Sequence, residues 1–252
     1  MGDFADQIVA TLLVSLRIAP TLAFAQPFTL LRVPASIRLM LSISLAAWLV
    51  AGNPAATWQS DFWNAGLPVV VANELLLGIS LALALQLAFA ALLVAGRTID
   101  IQAGFGLAVL VDPTTRASMP LVGTVFAYLG AAIFFAIGGP ADLLAIWAAS
   151  VDRVPLGAAA TAGADPGVLI DYMGAVFLLA IGLSGLVLLV LFLLDLAIAF
   201  LSRTMPQMNV LLLGFQVKAI ATLAVLPLAL PLSGALFVRL LRLALETTPQ
   251  VL

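Results

Sequence analysis

Six apolar runs, at about 8 to 25, 36 to 51, 67 to 95, 119 to 149, 170 to 201 and 208 to 238, alternate with short polar segments along the 252-residue chain. Each run predicts a helix in lipid. A crossing takes about 20 residues at ~1.5 Å each to span a hydrocarbon core of ~30 Å. On that measure 36 to 51 is short, and 67 to 95 and 170 to 201 overshoot. The runs are also interrupted, by Pro20 in the first, by Gly138-Gly139-Pro140 in the fourth, and by Pro227 and Pro231 in the sixth. An interruption frees backbone N–H and C=O groups, and each one left bare in hydrocarbon costs several kcal/mol, so broken helices must pack against protein or line a wet cavity. Much of this chain is therefore expected to face protein.

Charge near the run ends predicts orientation. Arg32, Arg38 and Arg203 read as cytoplasmic, whereas the connections at 52 to 66, with only Asp61, and at 150 to 169, with Asp152, Arg153 and Asp165, read as outside. Six plain crossings would then leave Arg239 and Arg242 on the wrong side. The expected resolution is that 208 to 238, which holds Lys218 and two prolines, folds as a broken hairpin returning to its starting side.

Composition agrees with the pattern. The chain is 64% hydrophobic and 9% charged, against roughly a quarter charged in soluble domains, which defines an all-α integral membrane protein of about six apolar helical segments, several of them kinked or broken into hairpins. A net charge of −2 lacks the basic stripe that a phosphate backbone requires, so no nucleic acid partner is expected. The absence of Cys and His removes disulfides, thiolate or imidazole metal ligands, and Cys or His catalysis. No metal or cofactor is expected. The acidic start "MGDFADQ" is the wrong flank for a cleavable signal peptide, so the first helix should be retained.

Arg17, Glu74, Asp142, Asp171, Asp195 and Lys218 fall within or beside the apolar runs. A charge at a membrane helix centre costs about 2.5 to 3.5 kcal/mol on insertion scales. Arg17 and Lys218 can snorkel along their stems, or pair across a helix interface with Glu74 or Asp195, the three buried-charge candidates thus being Arg17, Glu74 and Asp195. Asp142 and Asp171 sit beside breaks, where an N-cap role is the default. Nothing points to an enzyme: no acid has a nucleophile, base or oxyanion pattern beside it, a serine protease would need a His base, and "GFG" at 104 to 106 lacks the third glycine of a dinucleotide loop. An ion-coupled small-solute transporter, which would use discontinuous helices and intramembrane charges, is a competing class. Against it, no matching pair of broken segments divides the chain.

The polar segment "GRTIDIQAGFGLAVLVDPTTRASMP", residues 96 to 120, carries Arg97, Asp100, Asp112 and Arg116. Arg97 and Asp100 are three apart and would share a helix face, where an ion pair is of modest strength. Gly104 and Gly106 should loosen the helix. Asp112 before Pro113 is a restart signal. Read locally, this is an amphipathic cytoplasmic loop. In "RTMPQMNVLLLGFQVKA", residues 203 to 219, Pro206 stops one helix and Asn209 can cap the next.

Taken together the two segments resemble the family of flagellar biosynthetic protein FliR and its injectisome counterparts, the T-type component of the type III secretion export gate. The first signature is matched by Gly96, Ile99, Gln102, Gly104, Gly106, Asp112 and Pro113, and the second by Arg203, Pro206, Gln207, Met208, Asn209, Gly214 and Lys218. Two departures stand out: Gln216 where the family usually has a proline, and no histidine after the glycines near 138 to 140. The resemblance implies a FliP-like part, residues 1 to 168, followed by a FliQ-like hairpin, residues 169 to 252, in a subunit that assembles with FliP and FliQ homologues, with FlhB and FlhA homologues nearby. It implies a place in the bacterial inner membrane at the flagellar basal body, among membrane lipid, passing unfolded secreted protein substrates. The pore plug would be Gly104, Phe105, Gly106, Leu107, Val109, Leu110 and Val111. Its anchors would be Arg97, Asp100, Gln102, Asp112, Pro113 and Arg116. Injectisome use is the alternative, although the Pro-Gln-Met-Asn and Gly-Phe context leans flagellar.

Overall fold

The computed structural model describes residues 2–30, 33–53, 66–105, 121–157, 166–205 and 210–250. Among these the chain is helical throughout, with α1 Gly2–Phe24, α2 Gln26–Leu30, α3 Ala35–Gly52, α4 Leu67–Ala103, α5 Leu121–Ala136, α6 Gly139–Arg153, α7 Pro166–Thr204, α8 Val210–Leu232 and α9 Gly234–Thr247, followed by a short 3-10 turn at Thr248–Gln250. Five helical stretches are long and apolar enough to cross a membrane: Ala5–Phe24, Ala35–Gly52, Leu67–Ala103, Gly167–Thr204 and Leu213–Leu232. The pair α5 and α6, bent by 69°, forms a sixth, broken candidate. The 37 residues of α4 and 39 of α7 extend about 55 and 60 Å at ~1.5 Å per residue, well beyond a ~30 Å hydrocarbon core.

The breaks are fewer than the prolines suggested. Gly138, at φ +85°, turns the chain between α5 and α6, a left-handed conformation that a side chain strains, and Pro140 then sits in the first turn of α6. Pro20, in contrast, lies inside an unbroken α1, and Pro227 and Pro231 lie inside an unbroken α8. A proline removes one i to i−4 bond and bends the helix without ending it when neighbours pack against that turn. At Pro20 the neighbour is Gly78 of α4, where an added Cβ would lie 2.8 Å from the Leu16 carbonyl oxygen and 2.9 Å from the proline ring. The break expected at the prolines of 208 to 238 is thus corrected in position. One helix runs through both prolines and the interruption falls at Ser233, whose N–H still reaches Ala229 O at 3.0 Å and whose own carbonyl accepts from Leu236 and Phe237.

Two cap expectations are also corrected. Gly138 occupies the N-cap of α6, with Asp142 in the first turn, where a carboxylate still favours the helix dipole. Asp171 lies inside α7, because Pro166 starts that helix five residues earlier.

The chain forms two compact units: Met1–Ala88 with Ala131–Met173 and Leu241–Leu252, and Phe89–Gly130 with Gly174–Leu240. In the first, α1 packs along α3, Arg38 donates from Nη1 to Ala23 O at 2.6 Å to satisfy the end of α1, and Phe28 meets Phe134 and Phe135 edge-on at 6.3 Å. Tyr172, buried, donates its hydroxyl to Ala84 O at 2.5 Å. That carbonyl sits mid-helix, so Tyr172→Phe removes one bond without exposing it; a loss of about 1 kcal/mol is expected, read as a lower thermal midpoint in detergent. In the second unit Phe126 and Phe237 stack edge to face at 5.5 Å.

Apolar side chains are left bare along α7, including Leu178 at 71%, Ile181 at 63% and Phe200 at 65% exposure. A soluble monomer rarely exposes so continuous an apolar face, whereas lipid or neighbouring helices cover one at no cost.

Candidate functional site

In the first unit the buried charges Arg17 and Glu74 form one node. Arg17 of α1 is fully buried and Glu74 of α4 is 1% exposed. Nε and Nη2 of the guanidinium meet Oε2 and Oε1 of the carboxylate at 2.8 and 3.0 Å. The remaining donors go to backbone: Nη1 to Ser150 O at 2.8 Å and Val154 O at 3.2 Å, Nη2 to Val154 O at 3.2 Å. Those carbonyls end α6, where a cation matches the negative pole of the helix. Glu74 Oε1 also accepts the N–H of Gly157 at 2.8 Å, and Asn73 Nδ2 donates to Gly157 O at 3.1 Å. Of the two possibilities for Arg17, the structure places it in the pair. A buried pair offsets its desolvation only with such geometry and full hydrogen bonding.

In the second unit the described parts of both signature segments come together. Gly96 of α4 lies against α5 so closely that an added Cβ would overlap the backbone of Gly123 and come within 2.7 Å of the Val122 carbonyl carbon. One turn on, Asp100 accepts from Val122 N at 3.0 and 3.1 Å and from Gly123 N at 3.4 Å. It therefore caps the start of α5, where free N–H groups and the helix dipole favour a carboxylate. The Arg97–Asp100 pair expected from spacing is not formed among the described residues: Arg97 is exposed, and the buried Asp100 turns to α5. The cap is worth more to Asp100, because a buried carboxylate needs donors that a solvated guanidinium three residues away does not supply.

Past Ala103 α4 does not merely loosen; it stops. Gly104, at φ +84°, donates to Ile101 O at 3.1 Å, and Phe105 donates to Asp100 O at 3.0 Å, the paired bonds of a glycine-capped helix end. The ring of Phe215 in α8 occupies the space a side chain at 104 would need, its Cδ1 lying 2.6 Å from the would-be Cβ. Gln102 Nε2 donates to Asp195 Oδ2 of α7 at 2.7 Å, and Asp195 Oδ1 is ion-paired with Lys218 Nζ of α8. Gly214 is buried beside Ile198 at ordinary contact distance, and Arg203 is exposed in the last turn of α7.

The remaining sequence candidates, Gly106, Leu107, Val109, Leu110, Val111, Asp112, Pro113, Arg116, Pro206, Gln207, Met208 and Asn209, lie outside the described residues. Sequence reading missed Ser150, Val154, Gly157, Gly123 and Phe215. Four of these act through backbone atoms, which carry no residue-type signal. The glycine at 123, just past the first suspected segment, and the aromatic at 215, inside the second, were the available hints. Among the described residues no group of three acidic, His or Cys side chains could hold a metal.

Long apolar helices, charges matched in pairs between helices, and helix ends closed by side chains and glycine define an all-α membrane protein. The model of the bacterial export proteins, family 1, matches residues 8–244, and the chain belongs to that family. It is 30% identical over 230 residues to flagellar biosynthetic protein FliR of Aquifex aeolicus, covering 90% of this chain and 88% of that protein. Over 262 residues it is 28% identical to the Bacillus subtilis protein of that name, covering 100% of this chain and 98% of the other. The Escherichia coli protein of the same name is 26% identical over 201 residues, 80% of this chain and 75% of the relative.

Proposed function

We propose that this protein is a channel-forming structural subunit of the flagellar type III export gate, set in the bacterial inner membrane at the flagellar basal body. It assembles there with FliP and FliQ homologues, next to FlhB and FlhA homologues, and lets unfolded substrates pass without itself catalysing a reaction. Residues 1 to 168 serve as the FliP-like part and 169 to 252 as the FliQ-like hairpin. The flagellar names of the relatives favour this over injectisome use.

The observation that carries the gate reading is the fastening of α4 at its C-terminal end. Three separate contacts, the Asp100 cap, the Gln102–Asp195 bond and the Phe215 ring against Gly104, hold the point from which the apolar stretch 104 to 111 departs. A segment that must block a pore and yet yield to substrate needs a fixed root, and loop function depends on a rigid scaffold beneath it. The bare apolar face of α7 supports helical neighbours.

Deleting residues 104 to 111 is expected to leave co-purification with the FliP and FliQ homologues intact in mild detergent, while small-ion leakage through the expressed complex rises. Unchanged conductance removes the plug assignment; failure to co-purify in the parent chain removes the partners.

A further inference from the structure

Asp195 lies outside both signature segments, yet its carboxylate is shared between them. Oδ2 holds Gln102 at the end of α4, and Oδ1 holds Lys218 on α8. Three residues before Lys218, Phe215 presses on Gly104. The end of α4 is thus tied to α8 twice, through a ring contact at Gly104 and through the carboxylate at Gln102.

The surroundings make this carboxylate costly. Asp195 is 36% exposed and stands among the bare apolar side chains Phe192, Leu193 and Leu196, where an uncompensated charge in lipid is unfavourable. Neutralising Lys218 would need only one oxygen in contact. The second oxygen is engaged at 2.7 Å by a neutral amide, a directional bond that adds position as well as energy.

We propose that Asp195 is a positioning residue: it fixes the last turn of α4 against α8 and so sets the direction in which the chain leaves at Phe105. Its functional meaning rests on the gate reading above, since the chain leaving there is the stretch assigned to gating.

The test uses the full chain purified with its partners and follows backbone amide exchange at Gly104 and Phe105, whose N–H groups close the end of α4. Gln102→Met keeps the side-chain volume and the Asp195–Lys218 pair but removes the shared bond. Exchange at both amides should become about tenfold faster, with that of α5 unchanged. Asp195→Lys alone should do the same. Combined with Lys218→Asp it should return exchange to the parental rate, because a Gln amide offers an acceptor as readily as a donor and the reversed pair rebuilds both contacts. Parental exchange in Gln102→Met would overturn the proposal, leaving Asp195 as a counter-ion only. Should the reversed pair fail to assemble, the Gln102→Met result decides alone. Ion leakage in Gln102→Met separates the two readings: faster exchange with parental leakage upholds the positioning role and counts against the gate, whereas unchanged exchange sinks the positioning role at any leakage.

Discussion

Arg17→Met is expected to destabilise the first unit by about 3 to 5 kcal/mol, the usual consequence of stranding one charge of a buried pair. Glu74 would keep only the Gly157 N–H as a donor, the Val154 carbonyl would lose both its Arg17 donors, and the Ser150 carbonyl would keep only the Val154 N–H. With Arg17 fully buried and Glu74 only 1% exposed, water cannot step in as it would at a surface pair. The measurement is the yield and thermal midpoint of the chain in mild detergent. Arg17→Met combined with Glu74→Leu removes both charges and should recover most of the loss, since apolar replacement of a whole buried pair is often neutral or better. A single variant that melts with the parent would mean that the pair is not sealed from solvent. The same node bears on the carrier alternative, because Arg17 spends its donors on Glu74 and on the end of α6.

Gly96→Ala should be the most damaging single-methyl change in the second unit, at about 3 kcal/mol or more. The new Cβ would overlap the Gly123 backbone, which cannot rotate away as a side chain can, so α4 and α5 must part. Overpacking alone costs about 1 to 3 kcal/mol. Parting also draws the Val122 and Gly123 N–H groups off Asp100, and a hydrogen bond to a charged group is worth about 1.5 to 3 kcal/mol. The control is Gly185→Ala on α7, where nothing lies within 4 Å of the added carbon. There the higher helix propensity of alanine, about 1 kcal/mol, should appear as neutrality or slight stabilisation in the isolated chain. Equal melting of the two variants would refute the close helix contact at Gly96.

The predictable and the unpredictable parts of this fold divide by distance along the chain. The apolar runs became helices because length and hydrophobicity are local, and the break at Gly138 followed from a glycine pair before a proline. Pro20, Pro227 and Pro231 carry a similar local signal and yet sit inside helices. What differs at Pro20 is Gly78, 58 positions away, which lies against the freed carbonyl. The spacing of Arg97 and Asp100 suggested a pair, but Asp100 found a better partner in the start of a helix 22 residues later. Arg17 and Lys218 could each snorkel or pair on sequence grounds. Only the facing residues Glu74 and Asp195 could decide.

The sequence by itself determined that this is an all-α membrane chain with few charges, that those charges needed partners, and which two short segments carry the family signature. Composition and the cost of bare polar groups in hydrocarbon are enough for that, because they act residue by residue. Tertiary structure decided who satisfies whom: Arg17 with Glu74 and the end of α6, Asp100 with the start of α5, and Asp195 with Gln102 and Lys218. A buried charge requires a counterpart at hydrogen-bonding distance, and that distance is a property of packed helices, set by contacts such as Gly96 on Gly123 that no local pattern encodes.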